Sequence, residues 1–341
     1  MPDIDNIRIV LAARPKGAPT PADFRLEHAT LPPLRNGQVL LRNRWLSLDP
    51  YLRGRMNAGR SYVAPLEVGD VVEGGTVSEV VQSLHPAWSP GDLVLAHAGW
   101  QTYAVVDGEA LRRKLDPDGP PVSTALGVYG MPGFTAYAGL REIGKPEAGE
   151  TLVVAAASGP VGATVGQIAK RAGARVVGVA GGPDKVAYVR DVLGFDAALD
   201  HRADDFAAQL VAACPDGIDV YFENVGGKVF DAVLPLLNDF ARIPVCGLIA
   251  QYNASAPPPG PDRVPQLMAL ILTRHLTVRG FIQRDFIALY PEFLREMGRW
   301  LRDGEICFRE DVVDGLENAP AAFIGMLEGR NFGKLLVKIA D

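Results

Sequence analysis

Eight consecutive residues, Ala155-Ala156-Ala157-Ser158-Gly159-Pro160-Val161-Gly162, have the composition of a turn that binds an anion. Glycines at 159 and 162 let a backbone approach a pyrophosphate closely, and amides opening the helix that follows, at Val161 and Gly162, point at it. Ser158 is placed to donate to a phosphate. Ala157 stands where the Gly-x-Gly-x-x-Gly pattern has its first glycine, so the motif by itself is a partial match that a purely structural turn also satisfies. Its setting adds weight, because a β-type run (151–156) precedes it and helical spacing (161–172) follows, the strand–turn–helix context of a dinucleotide site.

Roughly 20 residues beyond such glycines an NAD site places an acid on the ribose hydroxyls. Here the stretch reads Val179-Ala180-Gly181-Gly182-Pro183-Asp184-Lys185. Small residues leave room for a further phosphate and Lys185 would supply its counter-charge, which favours NADPH. Lys185 also fits a solvated helix-face lysine, and Asp184 a first-turn helix acid. Metal chemistry finds no support. His28, His85, His97, His201 and His275, with Cys214, Cys246 and Cys307, show no zinc-ligand spacing, so no metal is expected. A Gly-x-Ser-x-Gly hydrolase elbow is missing too.

The elements that must position these residues change character near residue 125. Before it, short apolar runs (38–41, 68–81, 92–97) separated by Gly and Pro predict strand-rich structure. After residue 150 β-type runs at 151–156, 175–179, 197–199, 218–222 and 242–246 alternate with helical spacing at 161–172, 184–193, 206–213 and 229–237. That alternation predicts an α/β fold with a doubly wound parallel sheet. A Pro-rich loop (256–265), a helix (264–273), a strand (276–281), a long amphipathic helix (291–302) and a last strand (334–339) complete the reading. The 341 residues suffice for about two domains. Forty acidic against 34 basic residues, with no basic block, argue against nucleic acid or an anionic membrane as partner. No apolar run reaches the ~18 residues of a membrane span, no signal peptide opens the chain, and three scattered cysteines suit a reducing compartment. A cytoplasmic protein is expected.

Six blocks in order carry a resemblance that spans the chain: Leu48-Asp49-Pro50-Tyr51-Leu52-Arg53; Gly130-Met131-Pro132-Gly133-Phe134-Thr135-Ala136-Tyr137; the 155–162 turn with Gly166-Gln167-Ile168-Ala169-Lys170; Tyr221-Phe222-Glu223-Asn224-Val225-Gly226-Gly227; Cys246-Gly247-Leu248-Ile249-Ala250-Gln251-Tyr252-Asn253; and Gly329-Arg330-Asn331-Phe332-Gly333-Lys334. The sequence resembles the zinc-independent medium-chain dehydrogenases/reductases, in the branch of prostaglandin/leukotriene, alkenal double-bond and curcumin reductases. The resemblance implies a Rossmann domain (129–297) inserted into a β-rich, barrel-like catalytic domain built from 1–128 and 298–341, a homodimer, and a small enone or enal as substrate. It implies that Gly159, Val161 and Gly162 line the pyrophosphate and that Lys185 binds the ribose phosphate. Asn224, Cys246, Gly247, Tyr252 and Phe281 would lie along the nicotinamide half, with Asn331 reaching in from the C-terminal segment. His201 stands where the family commonly has tyrosine, which implies that the adenine-side packing differs and that Arg202 joins the phosphate contacts.

Reduction of an activated double bond develops charge on the carbonyl oxygen, and a donor aimed there lowers the barrier. Tyr252 is the first candidate, since a phenol with an ordinary pKa near ~10 stays protonated at neutral pH. The cofactor's ribose hydroxyl could share the role. Tyr51 is the second candidate, shaping the pocket beside Tyr62. Each tyrosine also fits a packed aromatic with a surface hydroxyl, and Asn331 also fits a helix C-cap. A zinc-free quinone reductase or alcohol dehydrogenase, and a non-catalytic NADPH-binding protein, stand as alternatives.

Overall fold

The computed structural model describes residues 4–59, 61–256 and 261–340. The chain forms two compact units, one of Met1–Gly127 with Glu310–Asp341 and the other Val128–Arg309. The first opens with β1 (Asp5–Leu11), β2 (Phe24–Thr30), β3 (Gln38–Ser47), a short helix α1 (Leu52–Arg55), β4 (Thr76–Ser83), β5 (Leu93–Ala96), β6 (Tyr103–Asp107) and β7 (Arg113–Lys114). The second runs α2 (Met131–Gly139), β8 (Thr151–Ala155), α3 (Pro160–Arg171), β9 (Arg175–Ala180), α4 (Pro183–Asp191), β10 (Ala197–Asp200), α5 (Phe206–Ala213), β11 (Ile218–Phe222), α6 (Gly227–Val233), β12 (Leu237–Val245), α7 (Val264–Thr273), β13 (Thr277–Gly280) and α8 (Tyr290–Arg302). The chain returns to the first unit with β14 (Glu310–Asp314), α9 (Ala319–Leu327) and β15 (Lys334–Lys338).

In the second unit six parallel strands lie in the order β10-β9-β8-β11-β12-β13, the 3-2-1-4-5-6 arrangement of a doubly wound sheet. Both faces are apolar, as a sheet covered by helices on both sides requires. Along β8, Leu152 and Val154 enter one core with Val165 and Ala169 of α3, while Val153 and Ala155 enter the other with Phe206, Leu210 and Val229. The helix expected over 229–237 stops at Val233, because Pro235 has no N–H to continue it; β12 therefore begins at Leu237 rather than 242. Helix α8 stays with this unit, its Phe293 and Met297 packed on Phe134 and Tyr137 of α2, so the return begins at Glu310 rather than 298. Of the Pro-rich loop, 257–260 lie outside the described residues.

In the first unit the sheet runs β14-β15-β3-β4-β5-β7, with β6 also paired to β3. Strand β15 is antiparallel to β3 through Leu336↔Ser47, Val337↔Leu46 and Lys338↔Trp45, so the two chain ends share one sheet. The apolar run at 68–81 becomes strand only from Thr76. Before it the run pairs only through an isolated antiparallel bridge, Val10↔Val71, and Gly74 lies against Leu46 and Trp100 so closely that a Cβ would stand 2.8 Å from the leucine methyl. Among the described residues no helix is long and apolar enough to cross a membrane.

Candidate active site

The turn between β8 and α3 is set by backbone packing. Ala156 adopts φ 52, a left-handed conformation that costs a non-glycine residue roughly 1–2 kcal/mol. The turn closes through Gly159 N–H to Ala156 O (3.0 Å), and Ala157 N–H donates to Val179 O (2.9 Å). A Cβ on Gly162 would lie 2.4 Å from Ala156 O and 2.8 Å from Ala157 Cα, and one on Gly166 1.8 Å from the Phe195 ring. Both glycines are therefore required for helix α3 to sit this close to the sheet. Gly159 offers no side chain to cap the helix, and Pro160 has no N–H. The amides of Val161 and Gly162 precede the first helical bond, Ala163 N–H to Gly159 O (2.9 Å). A glycine cradle with leading amides at a 12-residue helix fits a pyrophosphate. Ser158 lies buried within the turn.

At the end of β9 the chain turns through Gly181 and Gly182, the latter at φ 95. A Cβ on Gly181 would meet His201 Nε2 at 2.8 Å and Arg202 Nε at 3.1 Å. Two basic side chains, His201 and Arg202, face this turn, and the Asp200 carboxylate accepts from the Gly182 backbone beside them; a phosphate-bearing ribose would draw on the basic pair. Lys185 is half-buried on the first turn of α4.

Strands β8 and β11 flank the point where strand order reverses, and Asn224 bridges them by donating from Nδ2 to Ala155 O (2.9 Å). Glu223 fixes the turns beside it. Its Oε1 accepts from Val225 N–H (2.6 Å), Gly226 N–H (2.8 Å) and Tyr221 OH (3.0 Å), while its carbonyl accepts from Cys246 N–H (2.9 Å) and Gly247 N–H (3.2 Å). Burial raises its carboxyl above the ordinary value, against those backbone donors. Burial, followed by the Glu223 charge, pushes the Cys246 thiol up to about 12, which keeps it protonated and unfit as a nucleophile. Tyr252 folds back over Gly247, its hydroxyl oxygen 3.1 Å from where a Cβ would be and accepting Leu248 N–H at 3.4 Å. The acceptance uses a lone pair and leaves the hydroxyl proton out of that bond. Phe281, just after β13, is packed edge-on to Phe222 (6.2 Å) in the core, against Gly139. The anchoring role of Glu223 was not legible in its block, although an acid closing an apolar strand run was the available signal.

In the first unit Tyr51 is half-buried before α1. Burial, then the charges of Asp49, Tyr62 and Glu73, raise its hydroxyl above the ordinary phenol value. The turn carrying it is anchored by Lys334, which donates to Asp49 Oδ1 (2.7 Å) and Leu48 O (2.8 Å), with both charged side chains almost fully buried. Ser47 donates to the same aspartate. Tyr62 is exposed, and its neighbour Arg60 lies outside the described residues. Asn331 does not cap α9. That end is a Schellman motif, with Gly329 at φ 75, Arg330 N–H to Gly325 O (2.9 Å) and Gly329 N–H to Met326 O (2.9 Å). Asn331 instead donates to Gly333 O (2.8 Å). Among the described residues no three His, Cys, Asp or Glu are grouped to hold a metal ion.

Residues 8–113 match the family described as N-terminal domain of oxidoreductase, and residues 160–299 that described as zinc-binding dehydrogenase. The chain is 58% identical to the NADPH-dependent curcumin reductase of Escherichia coli (strain K12), over 98% of this chain and 97% of that one. It is 44% identical to prostaglandin reductase 1 of Oryctolagus cuniculus, over 93% and 89% of the two chains. Among solved structures it is similar to CurA from Vibrio vulnificus in complex with NADPH, at TM-score 0.94 and 54% identity, over 98% and 99% of the two chains.

Proposed function

Because this chain belongs to the zinc-independent branch of the medium-chain dehydrogenases/reductases, and is an NADP-dependent oxidoreductase with NADPH as its cofactor, we propose that it reduces the α,β-carbon double bond of small enones and enals, the β-carbon gaining hydride and the α-carbon a proton. The observation that carries this reading is the Tyr252 hydroxyl folded over Gly247 at the carboxyl end of β12, where ligands of doubly wound sheets bind. Bound NADPH supplies the hydride. Gly159, Val161 and Gly162 hold the pyrophosphate. Lys185, His201 and Arg202 take the ribose phosphate. Asn224, Cys246, Gly247, Tyr252 and Phe281 lie along the nicotinamide half. Tyr252 donates to the carbonyl oxygen as enolate charge grows, and neutral Cys246 contributes shape rather than nucleophilic attack. The test is NADPH oxidation with cinnamaldehyde, a long alkenal, benzalacetone and a quinone, followed by product identification. Saturated carbonyl products support the reading; an allylic alcohol or hydroquinone as sole product refutes it, and binding of NADPH without turnover of any of the four returns the non-catalytic alternative.

The same reading makes the protein a cytoplasmic homodimer. Strand β13 ends the six-stranded sheet and is exposed throughout, and α7 exposes Val264, Met268 and Leu272 at a spacing that puts them on one face. A terminal strand next to an uncovered apolar helix face fits pairing with a second copy. Sedimentation velocity of the wild type should give a dimer, and the Leu272→Lys, Val278→Lys double variant a folded monomer. A monomeric wild type would refute the assignment.

A further inference from the structure

The turn after β9 is faced by two basic side chains, with the Asp200 carboxylate accepting from the Gly182 backbone beside them. His201 Nε2 and Arg202 Nε lie 2.8 and 3.1 Å from a Cβ position on Gly181, and Arg202 Nη1 lies 3.7 Å from one on Gly182. Both side chains are fixed through their backbone, His201 N–H donating to Ala180 O (3.0 Å) and Arg202 N–H to Asp200 Oδ1 (2.9 Å). The charged groups acting on the imidazole are Arg202 and Asp200 from the chain flanking it and Lys228 from the start of α6. Asp184 and Lys185 sit on the first turn of α4, beyond the glycines. Burial, then Lys228 and Arg202, hold the His201 imidazole below its ordinary 6.5, with Asp200 opposing. Without an anion, then, burial and two cations bias this imidazole toward its neutral form, with Asp200 opposing.

A phosphate dianion over Gly181 reverses that balance, because an adjacent opposite charge favours the protonated form. We propose that His201 takes up a proton when the 2′-phosphate of NADPH enters the space over Gly181, so that cofactor binding and protonation of this side chain are linked. The inference rests on the reading that the Gly181-Gly182 turn seats that phosphate. The sign follows from linkage. Below the free-state pKa the ring is protonated with or without ligand and binding takes up nothing. Between the free-state value and the higher bound-state value, binding takes up a proton and affinity falls as pH rises. Ionisation of the ligand's own phosphate, with its second pKa near ~6, acts in the opposite direction and is the same in every variant.

The probes are 2′,5′-ADP, which carries the phosphate, and 5′-AMP, which lacks it, titrated calorimetrically into the whole protein in buffers of different ionisation heat. At pH 6.5 the wild type should take up more protons with 2′,5′-ADP than His201→Gln does, and neither should take up any with 5′-AMP. The affinity advantage of wild type over His201→Gln should be about threefold to tenfold at pH 6 and vanish by about pH 8.5, a tenfold change corresponding to one unit of pKa difference between states. Equal proton uptake in the two proteins overturns the inference. Arg202→Ala tests the seat separately: it should weaken 2′,5′-ADP roughly tenfold, as loss of one charge-assisted contact would, and leave 5′-AMP unchanged. If Arg202→Ala weakens 2′,5′-ADP while proton uptake is the same in wild type and His201→Gln, the linkage fails and the seat stands. If neither variant alters 2′,5′-ADP binding, the seat is wrong and the inference falls with it.

Discussion

Tyr252→Phe is expected to lower kcat for an enone about 100-fold, the loss typical of removing one donor from an oxyanion site, while NADPH affinity stays unchanged. The split follows from geometry. The hydroxyl lies over Gly247, and the ring is carried by the segment that Glu223 holds through its carbonyl, so phenylalanine keeps the packing and removes the O–H. A donor that acts as charge develops on the carbonyl oxygen lowers kcat and kcat/KM together, whereas a packing role would move KM or stability. Single-turnover NADPH oxidation with benzalacetone, alongside fluorescence titration of NADPH, separates the two. An unchanged single-turnover rate would remove Tyr252 from the mechanism and leave the cofactor's ribose hydroxyl as the remaining donor.

Lys334→Met should destabilise the first unit by about 3–5 kcal/mol, because it strands the buried Asp49 carboxylate without its cation. The pair is 2.7 Å apart with both side chains nearly inaccessible. Glu310 suffers as well. Burial raises its carboxyl, Lys334 and the Ser123 hydroxyl counter that, and one of its oxygens is buried with no hydrogen-bond partner. Trp45, Trp88 and Trp100 belong to the first unit and Trp300 alone to the second, so tryptophan fluorescence during urea unfolding reports mainly on the affected part. The Asp49→Leu, Lys334→Met double variant should recover most of the loss, since replacing both members of a buried pair by apolar groups is often close to neutral. A single variant within about 1 kcal/mol of wild type, the range of an exposed pair, would show that the burial is not maintained in solution.

The doubly wound sheet was legible because its strands and helices differ in period, and because Gly159 and Gly162 stand between the first strand and helix. What escaped has physical causes. Helix α2 gave no amphipathic signal since all of its residues except Met131 are buried, and a helix enclosed on every side carries no stripe. Pro235 hid the early start of β12 inside what read as helical spacing. In the site, single positions such as Asn224, Gly247 and Tyr252 could be named from their blocks, but contacts across elements could not. Gly181 and His201 are 20 positions apart in sequence and meet only because β9 and β10 run side by side. Lys228 joins them from another helix, and nothing local marks it.

Because β3 takes β15 as a neighbour along residues 45–47, the order of synthesis has a cost for the first unit. Ribosomes add about 5–20 residues per second, so the interval between making residue 47 and its partner Leu336 is on the order of 15–60 s. During that interval the stretch 45–47 has an unfilled edge, and Asp49 has no Lys334. The second unit is one continuous stretch of chain and can finish folding within the same interval. A nascent-chain arrest shortly before Lys334 would therefore hold a completed nucleotide-binding sheet beside an unfinished one, and that is the stage at which an edge-covering chaperone would be most useful to this protein.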